Sequence, residues 1–272
     1  GQHRTGKVRC CTQFLPPPMV FTPEHIKRES AELWHLFWML CRFASLYGIP
    51  LIILGAWVDV GSVRKLKKLE LEIRNFTANS DVSTTHAFTL EDEFYLEGHL
   101  SRLWQSWGKF CRSLIIESCM GTTDGNGIAI TPVAGAISEE HVSAAAMHAN
   151  NKNTPPANWI KTNSILRKEP TWGDIDVLTK IASNLSPSNA SQINAAISTV
   201  YTTAKDIQII RNATAHTNHQ TILEVRSIMT RYVVFPTNHP IQATLWTVHS
   251  TSDFLLANAI EELKMSSLSA IS

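Results

Sequence analysis

The sequence predicts an all-α protein, and three observations carry that reading. Apolar residues recur at steps of three and four through several long stretches, helix start and stop signals bracket those stretches, and no segment alternates with period two over any length. No internal repeat interrupts the pattern.

Residues 1–20, with Gly1-Gln-His3, the Cys10-Cys11 pair and Pro16-Pro-Pro18, suit an expression-tag remnant followed by a flexible arm. Residues 21–80 are expected to form an N-terminal helical extension. Its first helix opens at Thr22-Pro23-Glu24, buries Trp34, Phe37, Trp38, Leu40 and Phe43, and stops at Gly48. A second runs from Leu51 or Val60 to Phe76 and carries the basic cluster Arg64, Lys65, Lys67 and Lys68. That cluster is either a solvated face balanced by Glu70 and Glu72 or a set of phosphate contacts that ignore sequence. The polar stretch Asn79 to Thr85 marks a boundary, and a larger bundle is expected over residues 85–272.

Within the bundle, Thr89-Leu-Glu-Asp92 starts a long helix reaching Cys119, with a broad apolar face through Leu96, Leu100, Leu103, Trp107, Phe110 and Leu114. Gly121 to Gly127 lacks the Gly-Lys-Ser/Thr ending of a phosphate loop, so a turn with a short extended piece at Ile128–Thr131 is expected instead. Ser138 starts a short helix to Ala149. The polar connection from Asn150 to Pro170 then carries Arg167 and Lys168, by default exposed loop charge and otherwise placed to touch a substrate backbone. Helices follow over Thr171 or Trp172 to Leu185, Ser188 to Ala215, Gln220 to Val233, and from beyond Pro240 to Met265.

Composition narrows the function classes. The 272 residues are 44% hydrophobic and 17% charged, which excludes wholesale disorder. A net charge of +1 means that any nucleic-acid affinity comes from local patches. Five cysteines, none in a C-x-x-C pair, suit a reduced, cytoplasmic compartment. The apolar run Ile49 to Val58 is about half a membrane span, so no membrane association is expected. No cofactor is implied. His141 and His148 lack a third ligand type nearby, and His216-x-x-His219 lacks a supporting Cys or carboxylate, so no metal site is expected.

The chemistry concentrates at the end of the Ser188–Ala215 helix. Its apolar stripe passes through Ile193, Ile197, Val200, Ala204 and Ile207, and four residues on it meets Arg211. A guanidinium in that row needs a partner, an interface or a cleft. Asn212 and His216 are four apart and share a face, so the amide is placed to orient the imidazole. Arg211 and His216 are about 140° apart on an ideal helix, and converge if the Arg curls round, the helix frays, or a second copy meets it. The other reading pairs Arg211 with Asp206 or Glu224 inside the fold and leaves His216 as a helix-end residue favoured by the dipole.

Arg211-Asn212-Ala-Thr-Ala-His216 resembles the R-x4-6-H motif of the HEPN ribonuclease superfamily, in which the motif closes a long helix of an all-α bundle. The resemblance spans residues 88–268, with motif-grade matching at 211–216 only. It implies a HEPN-like helical bundle, a homodimer with a composite cleft, and metal-independent endoribonuclease activity leaving a 2′,3′-cyclic phosphate. Arg211 would clamp the phosphate, His216 would serve as general base or acid, and Asn212 would orient it. RNA is then the substrate, Arg64, Lys65, Lys67, Lys68, Arg167 and Lys168 are candidate RNA contacts, and an inhibitory or antitoxin protein is a possible partner in a toxin or phage-defence setting. Family toxins paired with nucleotidyltransferase antitoxins often carry Tyr two residues after the His; Asn218 stands there, which puts that mode of control in doubt. The competing function is a non-catalytic dimeric helical module that binds a protein or nucleic acid.

Overall fold

The computed structural model describes residues 58–79, 88–160 and 168–272. The helix expected before Gly48, the cysteines at 10, 11 and 41, and Arg167 lie outside the described residues. Among those described, eight α-helices dominate, with two small antiparallel sheets. They are α1 (Val58–Asn79), α2 (Leu90–Met120), β1 (Thr122–Thr123), β2 (Ala129–Ile130), α3 (Glu139–Lys152), α4 (Ile175–Leu185), α5 (Ala190–Ser198), α6 (Tyr201–Ala215), α7 (His219–Ile228), β3 (Tyr232–Val233), β4 (Thr247–Val248) and α8 (Leu255–Ile271). No helix among the described residues is long and apolar enough to cross a membrane.

Helix α2 is the axis of the core. Thr89 caps it in a reciprocal box: its Oγ1 accepts from the Asp92 N–H at 3.2 Å, and the Asp92 carboxylate accepts from the Thr89 N–H at 3.0 Å. Three acids in the first turn meet the positive end of the helix dipole. Leu96, Leu100, Leu103, Trp107, Phe110, Cys111, Ile115 and Cys119 are buried along its length, and α1, α3, α6 and α8 pack around it. Trp107 is wholly enclosed because its one polar atom has a partner: Nε1 donates to the Gly173 carbonyl at 3.1 Å. Gly121 ends the helix at φ 85°, and a Cβ there would meet Pro132 Cδ at 2.9 Å, so the position needs glycine twice over. The extended piece expected near Ile128 is β2, paired with β1 in the register Thr122↔Ile130. Helix α1 lies against α8 and α2, with Leu66, Leu69 and Ile73 turned into the core.

Two expectations are corrected. The helix expected from Ser188 to Ala215 is two helices, broken at Thr199-Val200. The hydroxyls of Ser198 and Thr199 bond back to the carbonyls of Ala195 and Ala196, each at 2.7 Å, and the Val200 N–H reaches the Ile197 carbonyl three residues back. These local bonds accompany the break. The segments expected as helix after Ile228 and before Phe254 are also different. Met229–Arg231 and Pro240–Leu245 are 3-10 turns, and β3 pairs with β4 in the register Tyr232↔Val248. There a buried acid on α6 pulls Arg231 and Tyr232 inward, and the chain leaves the helical path to deliver them.

Candidate functional site

Arg211 falls off the buried face because that face drifts along α6. Ile193, Ile197, Val200, Ala204 and Ile207 are all buried, as the stripe requires, but beyond them α6 turns Ile210 and Ala213 into the core. Arg211 is exposed. Its Nη1 donates to the Asn212 Oδ1 at 3.1 Å, and no carboxylate holds it among the described residues. The internal partners considered from sequence are occupied elsewhere. Asp206 is bound by Arg231 and Tyr232, and the Glu224 carboxylate accepts from the Gln220 amide at 3.2 Å.

His216 is the C-terminal cap of α6, with φ −140° and ψ 62°, so the chain has left the helix at this residue. Its N–H still donates to the Asn212 carbonyl at 2.9 Å, and its own carbonyl accepts from the Asn218 amide and the Thr221 hydroxyl, each at 3.0 Å. The backbone of His216 is therefore pinned while its ring stands in solvent. The amide of Asn212 engages Arg211, one residue back, rather than the imidazole. Asn218 caps α7 through a second reciprocal box with Thr221, both bonds at 3.1 Å. The exposed ends of α6 and α7 thus meet at one turn, with Arg211, His216 and His219 on its surface and the positive end of the α7 dipole beside them.

The expected RNA contacts stand elsewhere. Arg64, Lys65, Lys67 and Lys68 are exposed on α1. The acids expected to balance them are engaged mainly by other side chains: Glu70 by Arg74 and Lys264, and Glu72 by His99 and Arg102, with Lys68 at 3.8 Å from Glu72. The cluster keeps most of its charge for solvent. Lys168 is exposed beside Glu169, which turns inward. Because α1 packs on α2 and α8 while the Arg211–His216 turn leads into α7, the basic cluster and the motif sit on different elements of the bundle.

Sequence reasoning missed the most constrained polar group on α6. Asp206 is 1% exposed, and Arg231 grips it with Nε at 3.0 Å from Oδ2 and with Nη2 on Oδ1. The Tyr232 hydroxyl donates to the same carboxylate at 2.5 Å, and burial, with that acid beside it, pushes the phenol well above its ordinary range. The signal was present: Asp206, Ile210 and Ala213 are spaced four and three apart, the buried face of α6 as it exists. A second polar cluster joins α2, α3 and the segment before α4. Arg112 Nε and Nη2 donate to both oxygens of Glu169 at 2.7 Å, and Ser143 and Trp172 add further bonds to that carboxylate. Both clusters are saturated internally, and they hold the scaffold rather than offer reactive groups. No family model, curated protein or solved structure matches the chain.

Proposed function

We propose that the chain is a metal-independent endoribonuclease of HEPN type, acting as a homodimer in which two Arg211–His216 turns flank one RNA linkage. The observation that supports this reading most is the exposure of both groups: the guanidinium is free of carboxylates among the described residues, and the imidazole stands in solvent on a pinned backbone. A nuclease needs that, since a fork neutralised inside the fold has nothing left for a phosphate.

In the proposed reaction one imidazole takes the proton from the 2′-hydroxyl. The 2′-oxygen attacks phosphorus, and the 5′-oxygen leaves with a proton from the second imidazole. The products are a 2′,3′-cyclic phosphate and a 5′-hydroxyl. Histidine titrates near neutrality and suits either role, but one ring cannot hold both protonation states at once. That is why the proposal needs a second copy. Arg211 meets the charge that builds on the phosphorane oxygens. Asn212, bonded to Arg211, serves as the support of the guanidinium, a different task from the one expected of it. The basic face of α1 supplies sequence-independent attraction for the RNA backbone. A toxin or phage-defence role, with an inhibitory protein partner, rests on the resemblance alone.

The test is cleavage of an RNA panel in EDTA by wild type, Arg211→Ala and His216→Ala, with the product ends identified. Cyclic-phosphate ends that disappear in both variants support the mechanism. Activity that requires a divalent ion, or that survives both changes, overturns it. A stable dimer without cleavage favours the non-catalytic binding module.

A further inference from the structure

We infer that the groove between α7 and residues 234–246 seats an unpaired base of an RNA strand, beside the linkage that Arg211 and His216 would cleave. The site rests on the nuclease reading and deepens it, because it makes the substrate single-stranded at that point. The groove encloses about 470 Å³, the size of a small-molecule site, with room for one base and its sugar. Ile222, Val225 and Met229 line it from α7 and the turn after it, and Phe235, Pro236 and Trp246 line it from the returning chain.

Placement ties the groove to the motif. Ile222, Val225, Arg226 and Met229 recur at steps of three and four, so they mark one face of α7. His219, in the exposed turn with Arg211 and His216, stands three residues before Ile222 and seven before Arg226. On a helix those steps keep all three on the same side, and the longer one advances roughly 10 Å. The groove therefore begins about one helical turn from the motif and runs away from it along α7. A strand whose linkage lies at the motif would carry its next nucleotide over that groove.

Chemistry selects the occupant. The walls are aliphatic and aromatic, a surface that a flat ring covers and a hydrated phosphate does not. Phe88, outside the groove, backs Phe235: the two rings are 14° from parallel with centroids 6.0 Å apart. Arg226 is exposed at the groove and makes no ion pair or side-chain hydrogen bond among the described residues. No Asp or Glu lines the groove, and His239 is engaged by the Ile241 N–H and lies 3.9 Å from the Glu97 carboxylate. An apolar slot with one free guanidinium matches a nucleotide, whose base is flat and whose phosphate is anionic. A paired base cannot enter, because the duplex already covers its edge and both its faces.

The experiment uses the full chain and a short fluorescein-labelled RNA, 2′-O-methylated throughout so that it is not cut, read by fluorescence anisotropy. The same strand annealed to its complement is the second probe. Wild type should bind the single strand about tenfold tighter than the duplex. Phe235→Ala should weaken that binding by about tenfold. Arg226→Ala should weaken it by about threefold to tenfold and lower the salt slope by about 1. Arg226 is exposed, so its variant carries the test if Phe235→Ala fails to fold. Cleavage of the unmodified strand is measured alongside. Single-strand binding that depends on Phe235 and Arg226, without cleavage, would uphold the base site and defeat the nuclease. Cleavage, with binding that neither change weakens, would uphold the nuclease and defeat the base site. No preference for the single strand, or no binding at all, would also overturn the assignment and leave the groove to a peptide or to a second copy of the chain.

Discussion

Arg231 reaches back from the turn after α7 to close both Nε and Nη2 on the carboxylate of Asp206, in the middle of α6. The pair fastens the α6–α7 hairpin from inside, towards the end away from the turn that displays Arg211 and His216. Its acid is 1% exposed while the Arg231 side chain is 42% exposed, so the two partners are not equivalent. Removing the arginine strands a buried charge. Arg231→Ala should therefore cost about 3 kcal/mol in urea denaturation, and a loss below about 0.5 kcal/mol would show that the Tyr232 hydroxyl satisfies the acid alone.

The proposed catalytic role can be separated from a structural one at the motif. Arg211 and His216 are exposed and bury nothing, so Arg211→Ala and His216→Ala should each leave stability within about 0.5 kcal/mol of wild type. Cleavage, measured on the same preparations, should fall by about 100-fold or more. A parallel loss of stability and activity would mean that the residues act through the fold.

Acid should loosen the packing of α2 against α3 and the segment before α4. Burial alone would raise the pKa of Glu169, but bonds from Arg112, Ser143 and Trp172 outweigh it and hold the carboxyl below its ordinary value. A folded-state pKa below the unfolded one gives stability that is present above the unfolded value and is lost as pH falls through the folded value. Tm should drop between about pH 5 and 3, and the drop should be shallower in Arg112→Gln, which lacks the main cause of the depression. Identical pH profiles for the two proteins would assign the acid sensitivity to other carboxylates.

Gly173 should tolerate no side chain. A Cβ there would lie 3.1 Å from Trp104 Cζ2 and 3.3 Å from Trp107 Cδ1, and Trp107 is wholly enclosed. Gly173→Ala should cost about 1–3 kcal/mol by thermal unfolding; a neutral result would mean that Trp104, on the rim, yields.

Much of the helical scaffold was legible in the sequence because its signals are local. Thr89 and Asp92 announce the start of α2 and Gly121 its end, and the apolar spacing between them states which face is buried. The break at Thr199-Val200 was not legible, because the 4-3-4-3 spacing of Ile193 to Ile207 runs through it without a fault. The Ser198 and Thr199 hydroxyl bonds that accompany it leave no mark in the hydrophobic pattern. Within α6 the buried face drifts from Ala204 and Ile207 to Ile210 and Ala213, so the position expected on the core face, Arg211, lies at the surface. A long-range contact hid the turn at Met229–Arg231 and β3, where Arg231 and Tyr232 meet an acid more than twenty residues earlier in the chain. At the motif, residue types and spacing were readable, but Asn212's choice of the neighbouring guanidinium over the imidazole depends on rotamers and was not.

Helix α6 rests on Ala204, Ile207, Ile210 and Ala213, and asks nothing of residue 211. A library that randomised this position and was scored for soluble expression would return nearly every amino acid. Scored instead for growth inhibition or RNA turnover, any narrowing to arginine would report a demand made from outside the subunit, uncontaminated by the needs of folding.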